Sequence, residues 1–472
     1  MNKRIHAFSD DALGTMDAVA IADAIAKKKI SAAEAANAAI QRAEKINGTL
    51  GAIAFPAFDI AIERAAKSFT GALSGVPTFI KDNELVKGIP TQFGTGSFRA
   101  KPAKKNSPYV EQFLSTGLNS LGKTTMPEFG LLCSTENPKW GITRNPWHTD
   151  HTPGGSSSGS AAMVASGVVS IAVANDGAGS TRIPASCCGL VGLKPSRNRL
   201  VNVEGTEIMP INIVHEGVLT RSVRDTAAYY AAAERYYRNT SIPEIGHVQH
   251  AGTKRLRVVF FDNIAEGKTG RQDEDTTRTL TATAKLLELQ GHHVEQRPFP
   301  IDIDELRDDF LNYYGMMAFA LKNFGGLFLE SKPDAKQLEP FTLGLSAQFR
   351  RHIFQLPRNL RRLREAGAFA ESFFGDYDII MTPVLAHTVP EIGYFSPELS
   401  YAEVSKRAVS FASFTGMQNV TGSPAISLPM GMSDGGLPIG MQFSSAYGQD
   451  RLLLELAYEL EAAQPWRFLY NA

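Results

Sequence analysis

Thr152-Pro153-Gly154-Gly155-Ser156-Ser157-Ser158-Gly159-Ser160 is the stretch on which the reading of this chain turns. Its serines and glycines would suit a flexible linker. The next residues argue otherwise. Ala161-Ala162-Met163-Val164-Ala165 extends a small-residue helix from about 157 to 166, Gly167 breaks it, and Val168 to Ala174 reads as an apolar strand of parallel-sheet type.

Three catalytic or nucleotide-binding readings compete for this loop and its surroundings. Gly154 and Gly159 have phosphate-loop spacing, but Ser160 stands where the lysine is needed. Gly155-Ser156-Ser157-Ser158-Gly159 fits the G-x-S-x-G elbow, which needs a buried strand just before it. Asn145 to Pro153 is too polar for that. Elsewhere, Ser120-Leu-Gly-Lys123 and Lys268-Thr-Gly270 match two elements of penicillin-binding enzymes. The S-D-N element is missing, and Ser120 falls in a strand instead of opening a helix.

Outward from the loop, strands and helices alternate. Two helices open the chain. In the first, Val19, Ala22, Ile25 and Ala26 share a face; Ser31 and Glu34 form a capping box for the second, which Gly48 ends. Gly75 to Asn83 reads as a buried strand ending in charge, 108–116 as a helix stopped by Gly117, and Leu118 to Leu121 as a strand. Arg257 to Phe261, Gln272 to Gln290 and His293 to Gln296 form a β-α-β unit. Tyr377 to Thr382 is another strand and Gln449 to Ala463 a closing helix. The pattern is α/β. The stretch 310–374 differs, being helical and rich in aromatics: Phe310, Tyr313, Tyr314, Phe319, Phe324, Phe328, Phe341, Phe349 and Phe354. These read mainly as core, with a minority available to line an apolar pocket. Its arginines, Arg350, Arg351, Arg358, Arg361, Arg362 and Arg364, read as a solvated helix face.

A length of 472 residues allows about three domain-sized units or one large α/β domain. With 48 basic and 48 acidic residues, the chain lacks the basic surplus of a nucleic-acid binder. Hydrophobic residues at 43% exclude disorder. No apolar run is long enough to span a membrane, and the N-terminus has no apolar signal core. Cys133, Cys187 and Cys188 make a poor disulfide framework and read as buried thiols of a soluble, cytoplasmic protein. His292-His293 reads as a loop pair, not a metal site.

A further reading joins several segments. Gly154 to Ser160 is followed by Ala174-Asn-Asp-Gly-Ala-Gly-Ser180-Thr-Arg-Ile-Pro-Ala185 and by Cys188-Gly-Leu-Val-Gly-Leu-Lys-Pro-Ser196. Upstream stand Gly75-Val-Pro-Thr-Phe-Ile-Lys81-Asp-Asn and Gly122-Lys-Thr-Thr-Met-Pro-Glu-Phe-Gly130. Downstream are Leu219-Thr-Arg-Ser-Val-Arg-Asp225 and Thr421-Gly-Ser-Pro-Ala-Ile-Ser427. Together these resemble the amidase signature family from about residue 60 onward, while 310–374 matches nothing in it. The resemblance implies one large mixed sheet with helices on both faces. It implies a single domain over 1–472, with a signature core at about 66–200 and a helical, aromatic-rich pocket region at about 303–374. It also implies Ser180 as nucleophile, Ser156, preceded by a cis peptide, as bridge, and Lys81 as base. The intervals of 75 and 24 residues are similar to the family's. Two departures are Ser158 and Ala178, where the family usually has glycine. The N-D-G-A-G-S form looks most like members acting on small organic amides, including nylon-oligomer and aryl-amide hydrolases.

The residue chemistry agrees with this set. A serine hydroxyl needs a base within reach. His148 and His151 lie near the serines and raise the possibility of a Ser-His-Asp arrangement, but they sit in the polar loop and the family motif gives them no role. Lysine can act only when neutral, so burial must depress its pKa. A hydroxyl both donates and accepts, so Ser156 can relay a proton between Ser180 and Lys81. Gly177, Ala178, Gly179 and Ser180 present consecutive N–H groups for an oxyanion. Asp176 and Arg182 read as a brace and Ser157 as loop support. The expected reaction takes a small amide and water, with no metal or organic cofactor. A homodimer is compatible with the sequence, which leaves assembly open. The alternatives are the glutaminase-like subunit of a glutamine-dependent amidotransferase and a non-catalytic scaffold. The aromatic stretch and Phe411 to Asn419 favour an apolar amide over glutamine.

Overall fold

The computed structural model describes residues 3–261, 272–298, 303–327, 329 and 331–471. Lys268-Thr-Gly270 and Phe328 lie outside the described residues. The strands in chain order are β1 (Ile53–Pro56), β2 (Pro77–Lys81), β3 (Asn119–Thr124), β4 (Glu136–Asn137), β5 (Gly141–Ile142), β6 (Ile171–Asp176), β7 (Val191–Lys194), β8 (His215–Thr220), β9 (Arg257–Phe260), β10 (His293–Gln296), β11 (Ile379–Pro383), β12 (Ala425–Met432) and β13 (Pro438–Ser444). β4 and β5 make a small hairpin; the other strands form one sheet in the order β1-β3-β2-β6-β8-β7-β12-β13-β11-β9-β10.

Pairing is parallel through β3-β2-β6 and β11-β9-β10 and antiparallel elsewhere, so the sheet is mixed. Successive strand residues point to opposite faces. Every residue of β2, β3, β7 and β8 is buried, so both faces of the central sheet are covered. This is why these strands do not alternate between apolar and polar residues. The order also places the chemistry: β2 and β6 are parallel neighbours, so their C-terminal ends share one edge of the sheet. Lys81 ends β2, and the loop to Ser180 leaves β6.

Boundaries differ from the sequence reading where side-chain polarity is a poor guide. Val168 and Val169 are apolar but not strand, because both N–H groups donate to Met163 O and close the preceding helix. The second helix keeps its Ser31–Glu34 capping box but runs through Gly48 to Leu50. Gly51, at φ 58°, ends it in a left-handed conformation that glycine adopts without steric cost. The first helix, Ala18–Ala26, buries Ala18, Ile21, Ala22 and Ala24 and leaves Ala26 exposed. His292-His293 is not a loop pair. His293 starts β10, and buried His292 accepts from Leu256 N at 3.0 Å and faces Glu459 at 3.1 Å. Among the described residues, no helix is long and apolar enough to cross a membrane.

Candidate active site

Lys81 is fully buried, and its Nζ donates to Ser156 Oγ at 2.7 Å and to Asn175 Oδ1. Register sets this arrangement. Phe79 pairs with Ala172, which brings the end of β2 level with the end of β6 and its Asn175. Burial pushes the amine down to about 7, against the upward pull of Glu216, Asp176 and Glu84. A lysine in that range exchanges a proton near neutral pH, which an exposed one does not. The Gly155–Ser156 peptide is cis.

The loop after β6 is built on Asp176 and Arg182, both fully buried. Arg182 Nε and Nη2 reach the two Asp176 oxygens at 2.9 and 2.8 Å. Asp176 also accepts from Gly179 N at 2.7 Å and Thr181 N at 3.2 Å. Arg182 continues to Gln442 Oε1 at 2.6 Å, Asn419 Oδ1 at 2.8 Å and Gln418 Oε1 at 3.2 Å. Asn419 Nδ2 returns to Asp176 O at 2.8 Å. Arg182 holds Asp176 ionised, with its carboxyl well below the usual range. One sequence expectation is corrected here. The Gly179 N–H is directed at Asp176, which leaves Gly177, Ala178 and Ser180 as the oxyanion candidates of the loop.

Steric detail explains which small residues are required. Gly179 has φ +120°, and a Cβ there would sit 2.4 Å from Thr415 Oγ1. Gly155 would press a Cβ to 2.8 Å from the Cys133 carbonyl carbon, and Gly159 to 2.3 Å from Ala52 O. Ala178 has no positive φ and takes its methyl without strain; its carbonyl accepts from Thr415 Oγ1 at 2.6 Å. Ser158, the other departure, knits the loop: its Oγ donates to Gly154 O at 2.6 Å and accepts from Thr135 Oγ1 at 2.7 Å. Ser157 Oγ donates to Ser180 O at 2.6 Å, so it ties the serine loop to the loop after β6.

Ser180, Ala178 and Gly155 face one cavity of about 200 Å³. Its lining is largely apolar and includes Phe310, Tyr314 and Phe341 from the 310–374 stretch, with Phe414 and Met417 from the segment after it, alongside polar groups such as Arg307, Gln418 and Thr421. The other aromatics divide as their neighbours dictate. Tyr313 is buried and donates to Ile211 O at 2.5 Å, Phe319 packs on Phe349, and Phe324 and Phe354 are exposed. The arginine face is solvated and paired in part: Arg362 and Arg358 meet Glu305, and Arg361 meets Glu365.

Other candidates stand apart. His148 and His151 face one another at 4.6 Å, and His151 is held by Val389 O. Ser120 lies in β3, and Lys123 is tied to Glu84 O and Thr91. The three cysteines are free and buried; of them, Cys133 reaches the cavity, and burial pushes its thiol up to about 12. The hydroxyls of Ser156 and Ser180 are not hydrogen-bonded to each other. Contacts of this kind commonly tighten only with substrate bound. The sequence reading missed Asn175, Thr415, Gln418, Asn419 and Gln442. Asn175 lies within a quoted motif, but its role depends on strand register. The others lie more than two hundred residues from the loop they hold.

The family model described as Amidase matches residues 34–454. A protein named "Putative amidase AmiC" from Mycobacterium leprae is 46% identical over 98% of each chain. The 6-aminohexanoate-cyclic-dimer hydrolase of Paenarthrobacter ureafaciens is 31% identical over 95% of each chain. A solved structure of a 6-aminohexanoate cyclic dimer hydrolase superposes with a TM-score of 0.89 at 28% identity, covering 98% of this chain and 100% of that one. By sequence and fold, therefore, the chain belongs to the amidase signature family of hydrolytic enzymes acting on amides.

Proposed function

We propose that this amidase cleaves the C–N bond of small apolar or aryl amides through an acyl-enzyme on Ser180. The observation that carries this reading is the buried Lys81–Ser156 hydrogen bond of 2.7 Å beside a cavity that Ser180 faces. Neutral Lys81 takes the Ser180 proton by way of Ser156 while Ser180 Oγ attacks the carbonyl carbon. N–H groups of Gly177, Ala178 and Ser180 face the oxyanion, each donor contributing about 3 kcal/mol of transition-state stabilisation. The proton passes back to the leaving nitrogen as the C–N bond breaks. Water then gives its proton to the same relay, attacks the acyl carbon and frees the acid and Ser180.

The largely apolar lining supports the substrate class, because an apolar or aryl group buries more of its surface there than a glutamine side chain does. Similarity to an acylamidase of Rhodococcus erythropolis and to the cyclic-dimer hydrolases points the same way. The test is hydrolysis of a panel of alkyl amides, anilides, carbamates, esters and glutamine by the purified chain, with fluorophosphonate labelling of the wild type and Ser180→Ala. Anilide turnover with labelling lost in the variant is expected. Labelling that persists in Ser180→Ala overturns the nucleophile. Ammonia release from glutamine without anilide turnover overturns the substrate class in favour of an amidotransferase subunit.

A further inference from the structure

Behind Lys81 the sheet holds two carboxyl groups that the proton relay does not use. Glu216 in β8 stands directly across from Asn175 in β6, the residue that accepts a Lys81 hydrogen bond. Glu216 is 3% exposed, and neither of its oxygens meets a hydrogen bond of good geometry. Glu84, three residues beyond Lys81, is 2% exposed and accepts from Ser107 Oγ and from Asn83 Nδ2 at 3.0 Å. Glu84 and Lys81 act on Glu216 from β2 and the turn after it, and Lys123 acts on Glu84 from β3. Asp176 acts on Lys81 from β6, and the phenols of Tyr109, Tyr229 and Tyr230 feel the Glu216 charge from two helices.

Two carboxyl groups sharing one dry site cannot both ionise. Burial pushes both up, Glu216 well above the usual carboxylate range. The pair therefore holds a proton, Glu216 more firmly than Glu84, so Glu84 is the member that ionises first. Lys81, when it takes the serine proton, becomes an ammonium with no exposure to water, which is costly without a counter-charge.

We propose that Glu84 and Glu216 form a buried carboxyl pair that serves as a positioning unit for the base: ionised at one member, the pair balances the ammonium that Lys81 becomes during acylation. This rests on Lys81 acting as the base. The double variant Glu84→Gln with Glu216→Gln keeps the shape and removes every charge the pair can carry. The acid limb of its kcat/KM–pH profile should move to lower pH by about one unit, because the ammonium loses support. Its kcat should fall about tenfold with KM little changed. Either single variant leaves one carboxyl able to ionise and should move the limb less. A structural role alone would lower the melting temperature and leave the limb in place. A folded double variant with an unmoved limb overturns the inference. Fluorophosphonate labelling of Lys81→Ala separates the two readings. A wild-type labelling rate there removes the base itself, whereas slowed labelling with an unmoved limb in the double variant removes only the counter-charge role.

Discussion

Lys81 Nζ and Ser156 Oγ meet at 2.7 Å in a place where neither residue is more than 2% exposed. The amine is pushed down to about 7, so it is protonated and useless as a base in mild acid. kcat/KM should therefore rise with pH through a midpoint near 7. Lys81→Ala should cost roughly a hundred- to ten-thousand-fold and abolish that limb. Rates of an anilide substrate from pH 5 to 9 check this; an unchanged limb in the variant would discredit the base.

The Asp176–Arg182 pair makes a different demand. Removing one partner leaves the other charged and buried, so Asp176→Asn should destabilise by about 3–5 kcal/mol. Replacing both, as Asp176→Leu with Arg182→Met, should recover much of that loss. Activity should stay absent in the double variant, because Gly179 and Thr181 N–H lose their acceptor. Urea melts alongside turnover decide; activity returning with stability would show that the brace does not shape the loop.

Gly179→Ala joins two faults, a left-handed backbone and a clash with Thr415 Oγ1 at 2.4 Å. The backbone alone costs about 1–3 kcal/mol. The expected result is a large fall in kcat with a folded protein. Adding Thr415→Ala relieves only the clash, so full recovery in that double variant would count against a backbone requirement.

Much of this site is legible in the chain because its motifs are short and local. The meeting of Lys81 with Ser156 can be anticipated from two such segments. What tethers the loop cannot. Gln418, Asn419 and Gln442 are ordinary polar residues until the sheet brings them beside Arg182. Strand edges blur for a similar reason: Val168 and Val169 have strand-like side chains, but their N–H groups are committed to Met163 O. Four N–H groups in a row with little side-chain bulk suggest four equivalent donors, and only coordinates reveal that Asp176 claims one.

Glu339, beside Glu128, sits where the helix Pro340–His352 begins, and burial pushes its carboxyl up to about 8. The folded protein thus binds this proton more tightly than the unfolded chain. Its contribution to stability is full below about 4.5 and fades as pH rises through about 8. Glu339→Gln, which keeps an acceptor for Asn137 Nδ2, should raise the melting temperature at pH 9 and change it little at pH 4. Equal shifts at both pH values would rule this out.

The grip of Arg182 on Gln442 also has a consequence for when the enzyme comes alive. During synthesis the loop after β6 emerges long before the strand that must hold it. Until β13 has left the ribosome and docked, the loop lacks the partners that set its shape. A polypeptide cut short before β13 lacks Gln442, and its loop is expected to be unformed.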